Sequence, residues 1–317
     1  MNQKNQILKA VNFLKAGKVV AIPTETVYGL AANALNKIAV SEIFKIKNRP
    51  FFDPLIVHIS GIDLVEQYAI SFPEKAKKLA EKFWPGALTI ILPKKDVIPD
   101  IVTSGLPFVA LRVPKNKITL EILKSLDFPL AAPSANPFGY VSPTNAKHVA
   151  EQLGDKIPMI VDGGKCDIGV ESTIVFFENE NPPAVLRYGG IEIEEIENTI
   201  GKVKINISSG SKPQSPGMLD KHYSTTTPIK PLQNIDKASI NKDKTGALVF
   251  GKYLNFLPHK NQIVLSSEFS LSVAASNLFE AMRDLDKMNF ELIIYENFPN
   301  QGLGMAINDR LKRAGTS

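Results

Sequence analysis

The chain has 317 residues, 44% of them hydrophobic and 22% charged, with 20 glycines and 22 prolines. It is too long for one small module and too ordinary for a disordered or fibrous chain, so one or two globular domains are expected. Lys plus Arg total 37 against 32 Asp plus Glu, and the resulting +5 suits anionic partners without choosing among nucleotide, RNA and mere solubility.

At the amino terminus, Lys alternates with apolar residues at helical spacing, unlike an export signal. Ile7, Leu8, Val11 and Leu14 predict an amphipathic helix over 5–16 that ends at Gly17. VVAI at 19–22 predicts a strand broken by Pro23 and Thr24. Ala39, Ile43 and Ile46 mark a second helix running into Asn48, Arg49 and Pro50. LIVHI at 55–59 reads as a short buried strand, 73–83 as a Lys-rich helix, and LTIIL at 88–92 and VALRV at 109–113 as further strands. PLAAPSAN at 129–136 reads as a strand entering a Pro/Ser turn, 144–153 as a helix, and MIVDGG at 159–164 as a strand ending on glycines. Such alternation predicts an α/β domain with a mixed sheet.

Between 202 and 231, the Ser, Pro and Gly of SSGSKPQSPGMLDKHYSTTTP predict a linker. Beyond it, GALVFG at 246–251, QIVLS at 262–266 and ELIIYE at 291–296 alternate with a helix over 271–288, predicting a small, doubly wound parallel sheet. The longest apolar runs stop far short of the roughly 20 residues of a membrane span, so no membrane partner is expected.

Cys166 has no partner for an internal disulfide, and with His58, His148, His222 and His259 it gives no paired zinc spacing; a reducing, cytoplasmic setting is expected. No nucleophile elbow surrounds any Ser, which argues against a covalent hydrolase. PTETVYGLAANA at 23–34 places Thr24, Glu25 and Thr26 at a strand end, either as ligand groups or as a turn capped by a threonine hydroxyl. Lys45, Lys47 and Arg49 precede two prolines, an arrangement suited to phosphate or to a solvated helix end. Ser134, Asn136, Ser142 and Thr144 lie among prolines and a glycine, where loops supply donors to phosphate or ribose, although no P-loop or dinucleotide fingerprint is present. Ser172, Thr173 and Arg187 fall near predicted strand ends. Arg112, alone in an apolar run, needs an anionic partner, which could equally be an internal carboxylate or the carboxylate of a substrate.

In order along the chain come PTETVYGL, KNRP with PLIVHI, WPGALTIIL, VALRVP, APSAN with SPT, DGG, GVESTIV and LR-x-G-G. This set closely resembles the YrdC-like family, and within it the long, two-domain threonylcarbamoyl-AMP synthases, to which SPGMLDKHYS, NLFEAMRDLDKMN and GLGMAINDRLKRAG are also similar. The resemblance implies a YrdC-like twisted mixed sheet over 1–202, a linker or lid over 203–230 and a smaller Rossmann-like parallel α/β domain over 231–317. It implies synthesis of L-threonylcarbamoyladenylate and pyrophosphate from L-threonine, bicarbonate and ATP with Mg2+. The product would pass to a transferase that modifies tRNA beside the anticodon.

Carried over by resemblance, Lys47 and Arg49 are the catalytic, triphosphate-binding cations, and Ser134, Asn136, Ser142 and Arg187 hold the nucleotide. Thr24, His58, Arg112, Ala132 and Ser172 form the threonine pocket, with Arg112 on the carboxylate, while His222 and Tyr223 fold over the nucleotide. Tyr140 stands where many relatives carry a basic residue. The competing reading is an RNA-binding module without ATP turnover, against which stand the lack of an aromatic-rich RNA motif and of a long basic stripe. Weak tRNA binding beside the enzymatic activity stays open.

Overall fold

The computed structural model describes residues 2–178, 181–207, 215, 218 and 222–316. Within the predicted linker, residues 208–214, 216, 217 and 219–221 lie outside the described residues. The first helix, Gln3–Lys15, begins where the Asn2 side chain accepts from Asn5 N, and it buries Ile7, Ala10, Val11 and Leu14. Those residues pack against Ile118 and Ile122 of the helix Lys117–Lys124.

Among the described residues, nine strands form one mixed sheet: β1 (Val20–Ile22), β2 (Gly29–Asn33), β3 (Ile56–His58), β4 (Leu88–Pro93), β5 (Phe108–Arg112), β6 (Leu130–Ala131), β7 (Thr173–Phe176), β8 (Ala184–Arg187) and β9 (Lys204–Ile205). Their order is β1-β2-β6-β3-β5-β4-β7-β8-β9; β3/β5, β4/β7 and β8/β9 pair parallel and the others antiparallel.

The apolar runs of the sequence conceal a two-residue alternation. In β3 and β5, Val57, Val109 and Leu111 enter the main core beneath helices that include Glu74–Phe83 and Ile193–Ile200. Ile56, Ala110 and Ile174 face the other side in a smaller cluster that Met218 of the linker joins. His58 and Arg112, each two positions from a residue of that smaller cluster, are paired in parallel register. The sheet therefore has a packed face and a chemical face.

Four strands, β10 (Ile229–Pro231), β11 (Thr245–Val249), β12 (Gln262–Val264) and β13 (Leu292–Tyr295), form a second sheet, all parallel, in the order β10-β13-β11-β12. The predicted small parallel sheet is thus present, and the helix expected over 271–288 spans Leu271–Lys287. That helix and the last one, Leu303–Ala314, share one apolar cluster with Val27, Val141 and Val170 of the first region, so the two sheets are joined by core packing.

One expectation fails and one strand goes unpredicted. MIVDGG at 159–164 is not a strand: Ile160 makes a single bridge to Ala21, and beyond it the chain is irregular, with Gly164 at φ 80°. Conversely, GLAAN at 29–33 is a central strand despite lacking β-branched residues, because two-sided pairing with β1 and β6 overrides propensity.

Candidate active site

The chemical face of the sheet carries a cavity of about 50 Å3, enough for water and far too small for a nucleotide. Its lining includes Thr24, Arg49, His58, Arg112, Ala132, Ser134, Arg187, His222 and Tyr223. Lys47, Asn136, Ser142 and Ser172 stand directly behind it, bonded to groups of the lining or of its loops. The predicted site residues, drawn from segments far apart in the chain, therefore converge on one place.

On one wall, Arg112 is buried with both named acceptors inside the first region: Nη2 donates to Glu25 Oε1 at 2.6 Å and Nε to Gly86 O at 3.2 Å. Lys115 N bonds the other oxygen of Glu25 at 2.9 Å. Of the two partners the sequence allowed for Arg112, the internal carboxylate is thus in place, while the guanidinium still borders the cavity. His58 lies beside it, and burial, then the Arg112 charge, pushes its pKa down to about 3, so the imidazole is neutral. Its Nδ1 is buried without a hydrogen-bond partner. Thr24 caps its own turn as well as lining the cavity: its hydroxyl donates to Val27 O at 2.6 Å and accepts from Thr26 N and Val27 N.

The cationic corner is built by the helix Lys37–Lys47 and the stiff loop after it. Arg49 Nε and Nη2 donate to Asp53 O and Pro54 O, and the guanidinium pairs with buried Asp53 at 2.9 Å. Lys47 Nζ donates to the carbonyls of Ser134 and Asn136, clamping the 132–144 loop. Burial, then the neighbouring Arg49, lowers the Lys47 pKa well below the usual ammonium value. Asn136 shapes that loop through Pro137 O and Tyr140 O, leaving its own Oδ1 unpartnered.

On the far wall, Arg187 at the end of β8 donates to Ser172 O at 3.0 Å and Ser172 Oγ at 3.1 Å. Gly189 permits this approach, since a Cβ there would stand 2.3 Å from Glu171 O and Ser172 C. Glu171 accepts from Ser142 Oγ at 2.6 Å and pairs with Arg310 of the last helix at 3.0 Å. Burial alone would raise its pKa, but Arg310 and then Arg187 outweigh it and hold the carboxyl below its ordinary value. Over this wall lie His222, neutral because burial pushes its pKa down to about 3, and Tyr223, stacked on Phe279 at 5.5 Å. Ser224 N bonds Gly139 O, fastening the linker to the 132–144 loop.

Tyr140 is engaged by the carboxyl-terminal region. Its hydroxyl donates to Asp286 at 2.6 Å, its ring lies under Arg283, and Asp286 also caps Thr226 N and Thr227 N. Cys166 is buried and burial pushes its thiol up, so it offers no nucleophile. The sequence marks Glu25 only as a possible ligand or turn group and assigns no role to Asp53, Glu171 or Arg310. All four sit inside quoted motifs or beside them, and the three acids can be found by asking which anion neutralises each predicted Arg. Arg310, within GLGMAINDRLKRAG, is one of several cations on its helix and nothing in the sequence singles it out.

A mixed sheet with a chemical face ringed by buried arginines, followed by a small parallel sheet, defines an anion-handling two-region α/β protein. Residues 12–189 match the Sua5/YciO/YrdC family model, described as telomere recombination, and residues 191–316 match the C-terminal domain of threonylcarbamoyl-AMP synthase. The chain belongs to the threonylcarbamoyl-AMP synthase family.

Threonylcarbamoyl-AMP synthases of Bacillus subtilis and Pyrococcus abyssi are 41% and 40% identical to it, covering 98% and 96% of this chain and 92% of each relative. The structure of P. abyssi Sua5 complexed with L-threonine superposes with a TM-score of 0.90 at 38% identity, covering 99% of this chain and 95% of that one. A variant of the same protein, with a His and the following Tyr changed to Ala, gives 0.91, covering 99% and 93%. A putative synthase of Methanocaldococcus jannaschii matches 59% of this chain over 89% of its own length, at 38% identity.

Proposed function

We propose that the protein is a nucleotidyltransferase that makes L-threonylcarbamoyladenylate and pyrophosphate from L-threonine, bicarbonate and ATP. The observation that carries this reading is the meeting of Arg49, Arg112 and Arg187 at one small cavity flanked by a neutral imidazole on each side. Two anions must meet in this reaction, a carbamate and the α-phosphate, so placement and positive charge supply the catalysis. The amine of threonine displaces water from bicarbonate to form the carbamate. A carbamate oxygen then attacks the α-phosphorus, and the bond to pyrophosphate breaks. No covalent enzyme intermediate is required.

In this scheme Arg112, held by Glu25 and Gly86 O, orients the threonine carboxylate. Thr24, His58, Ala132 and Ser172 shape the pocket around the amino acid; that P. abyssi Sua5 binds L-threonine supports threonine as the substrate. Arg49 and Lys47 neutralise the triphosphate, Lys47 after release from its two carbonyls. Ser134, Asn136, Ser142 and Arg187 hold the nucleotide.

Mg2+ would enter with ATP to offset phosphate charge. Among the described residues no three His, Cys, Asp or Glu converge, so phosphates and water would supply most of its ligands. His222 and Tyr223, in the linker expected over 203–230, act as a lid over the nucleotide: the cavity beneath them must widen to admit ATP and close again to keep water from the labile adenylate. The product would serve a cytoplasmic transferase acting on tRNA. Among the described residues, no helix is long and apolar enough to cross a membrane.

The test is pyrophosphate release from ATP and bicarbonate, with and without L-threonine. Threonine-dependent release supports the reading; no release from folded protein under any condition overturns it.

A further inference from the structure

Arg310 is the largest wholly buried side chain among the described residues, and it comes from the last helix rather than from the sheet that bears the cavity. Its donors reach across the molecule. Nε pairs with Glu171 at 3.0 Å, Nη1 with Asp309 at 2.9 Å, and Nη2 donates to Tyr188 O at 2.8 Å. The guanidinium also sits 5.1 Å from the ring centre of Tyr223. One cation thus touches Glu171 on the far wall of the cavity, the strand exit that carries Arg187 and the linker residue that covers both.

Glu171 makes this placement consequential. It is the acidic member of the cavity lining, and it accepts the hydroxyl of Ser142. An unopposed buried carboxylate there would repel a polyphosphate and would draw Arg187 from its bonds to Ser172. We infer that Arg310 is a positioning residue of the nucleotide site: brought in by the carboxyl-terminal region, its charge neutralises Glu171 so that the cavity accepts ATP. The inference rests on the nucleotide reading of the cavity given above. It assigns that region a direct part in forming the substrate site, through an ion pair whose other half lies 139 residues earlier in the chain.

Calorimetric titration of ATP, without L-threonine, into the wild type, Arg310→Met, Glu171→Gln and the double variant tests it. Arg310→Met should bind ATP at least tenfold more weakly. The double variant, whose side-chain amide at position 171 can still accept from Ser142, should return to within threefold of the wild type. A purely structural role for Arg310 would not be repaired by removing the opposite charge. Glu171→Gln alone, which keeps Arg310, should bind ATP at least threefold more tightly, and this variant decides the matter if Arg310→Met does not fold. Wild-type affinity in Arg310→Met, a double variant as weak as Arg310→Met, or weaker binding by Glu171→Gln would overturn the inference while leaving the nucleotide reading intact. Failure of the wild type itself to bind ATP would instead overturn the nucleotide reading on which it stands.

Discussion

The two walls of the cavity are held up differently. The wall bearing His58 and Arg112 is self-supporting: Glu25, Gly86 and Lys115, which fix Arg112, all belong to the nine-stranded region. The opposite wall leans on the carboxyl-terminal region, through Arg310 on Glu171, Arg283 on Val141 O and Asp286 on Tyr140. On the proposed function, the amino-acid site would be complete within one sheet, whereas the nucleotide site would be finished by residues that the sequence delivers much later.

The largest effect should come from the self-supporting wall. Arg112→Ala strands Glu25 as a buried charge, at a cost of about 3–5 kcal/mol. Threonine-dependent pyrophosphate release should fall by roughly 100-fold or more, while ATP affinity measured without threonine stays close to wild type. Comparable losses in both would show that the walls are not independent.

Next comes the lid. Replacing His222 and Tyr223 with Ala should raise the loss of the adenylate to hydrolysis by on the order of tenfold, as water gains access to an activated intermediate. It is read as AMP formed per pyrophosphate released, and unchanged leakage with unchanged ATP affinity would remove the lid from the scheme. Smaller still is Tyr140→Phe, which deletes one hydrogen bond worth about 1 kcal/mol. The KM for ATP should rise about fivefold and that for L-threonine should hold; the reverse pattern would place Tyr140 with the wrong wall.

The smallest effect is on stability alone. Burial, then Arg283 of the helix Leu271–Lys287, pushes the His148 imidazole down to about 4. Because the unfolded chain takes up this proton more readily than the folded one, stability is present above the ordinary histidine value of about 6.5 and is lost as pH falls toward 4. His148→Gln should flatten that decline in denaturant titrations at about pH 7, 6 and 5 without altering turnover at neutral pH. An unchanged slope would show that this imidazole is not held below its ordinary value in the folded chain.

What could be read from the sequence follows the same division. The strands around Arg112 showed as short apolar runs, and its isolation among them announced a buried cation in need of an anion, though not that the anion would be Glu25. The predicted site residues meet at the cavity because their motifs lie at strand ends and turns, which are locally encoded. The strand at 29–33 is not legible because small residues carry no β signal, and the irregular segment 159–164 resembles a strand because a single bridge leaves the same apolar trace. Arg310 was out of reach for another reason: its role exists only after two distant segments pack, and no spacing records that.

The apolar cluster that Val27, Val141 and Val170 share with Ala274, Leu278 and Ile307 bears on how such proteins change length over time. Gly169 belongs to the same seam, approaching Ser276 so closely that a Cβ would stand 2.5 Å from its Cα. A lineage that lost the carboxyl-terminal region in one step would expose three valines, strand Glu171 and uncover the linker at once.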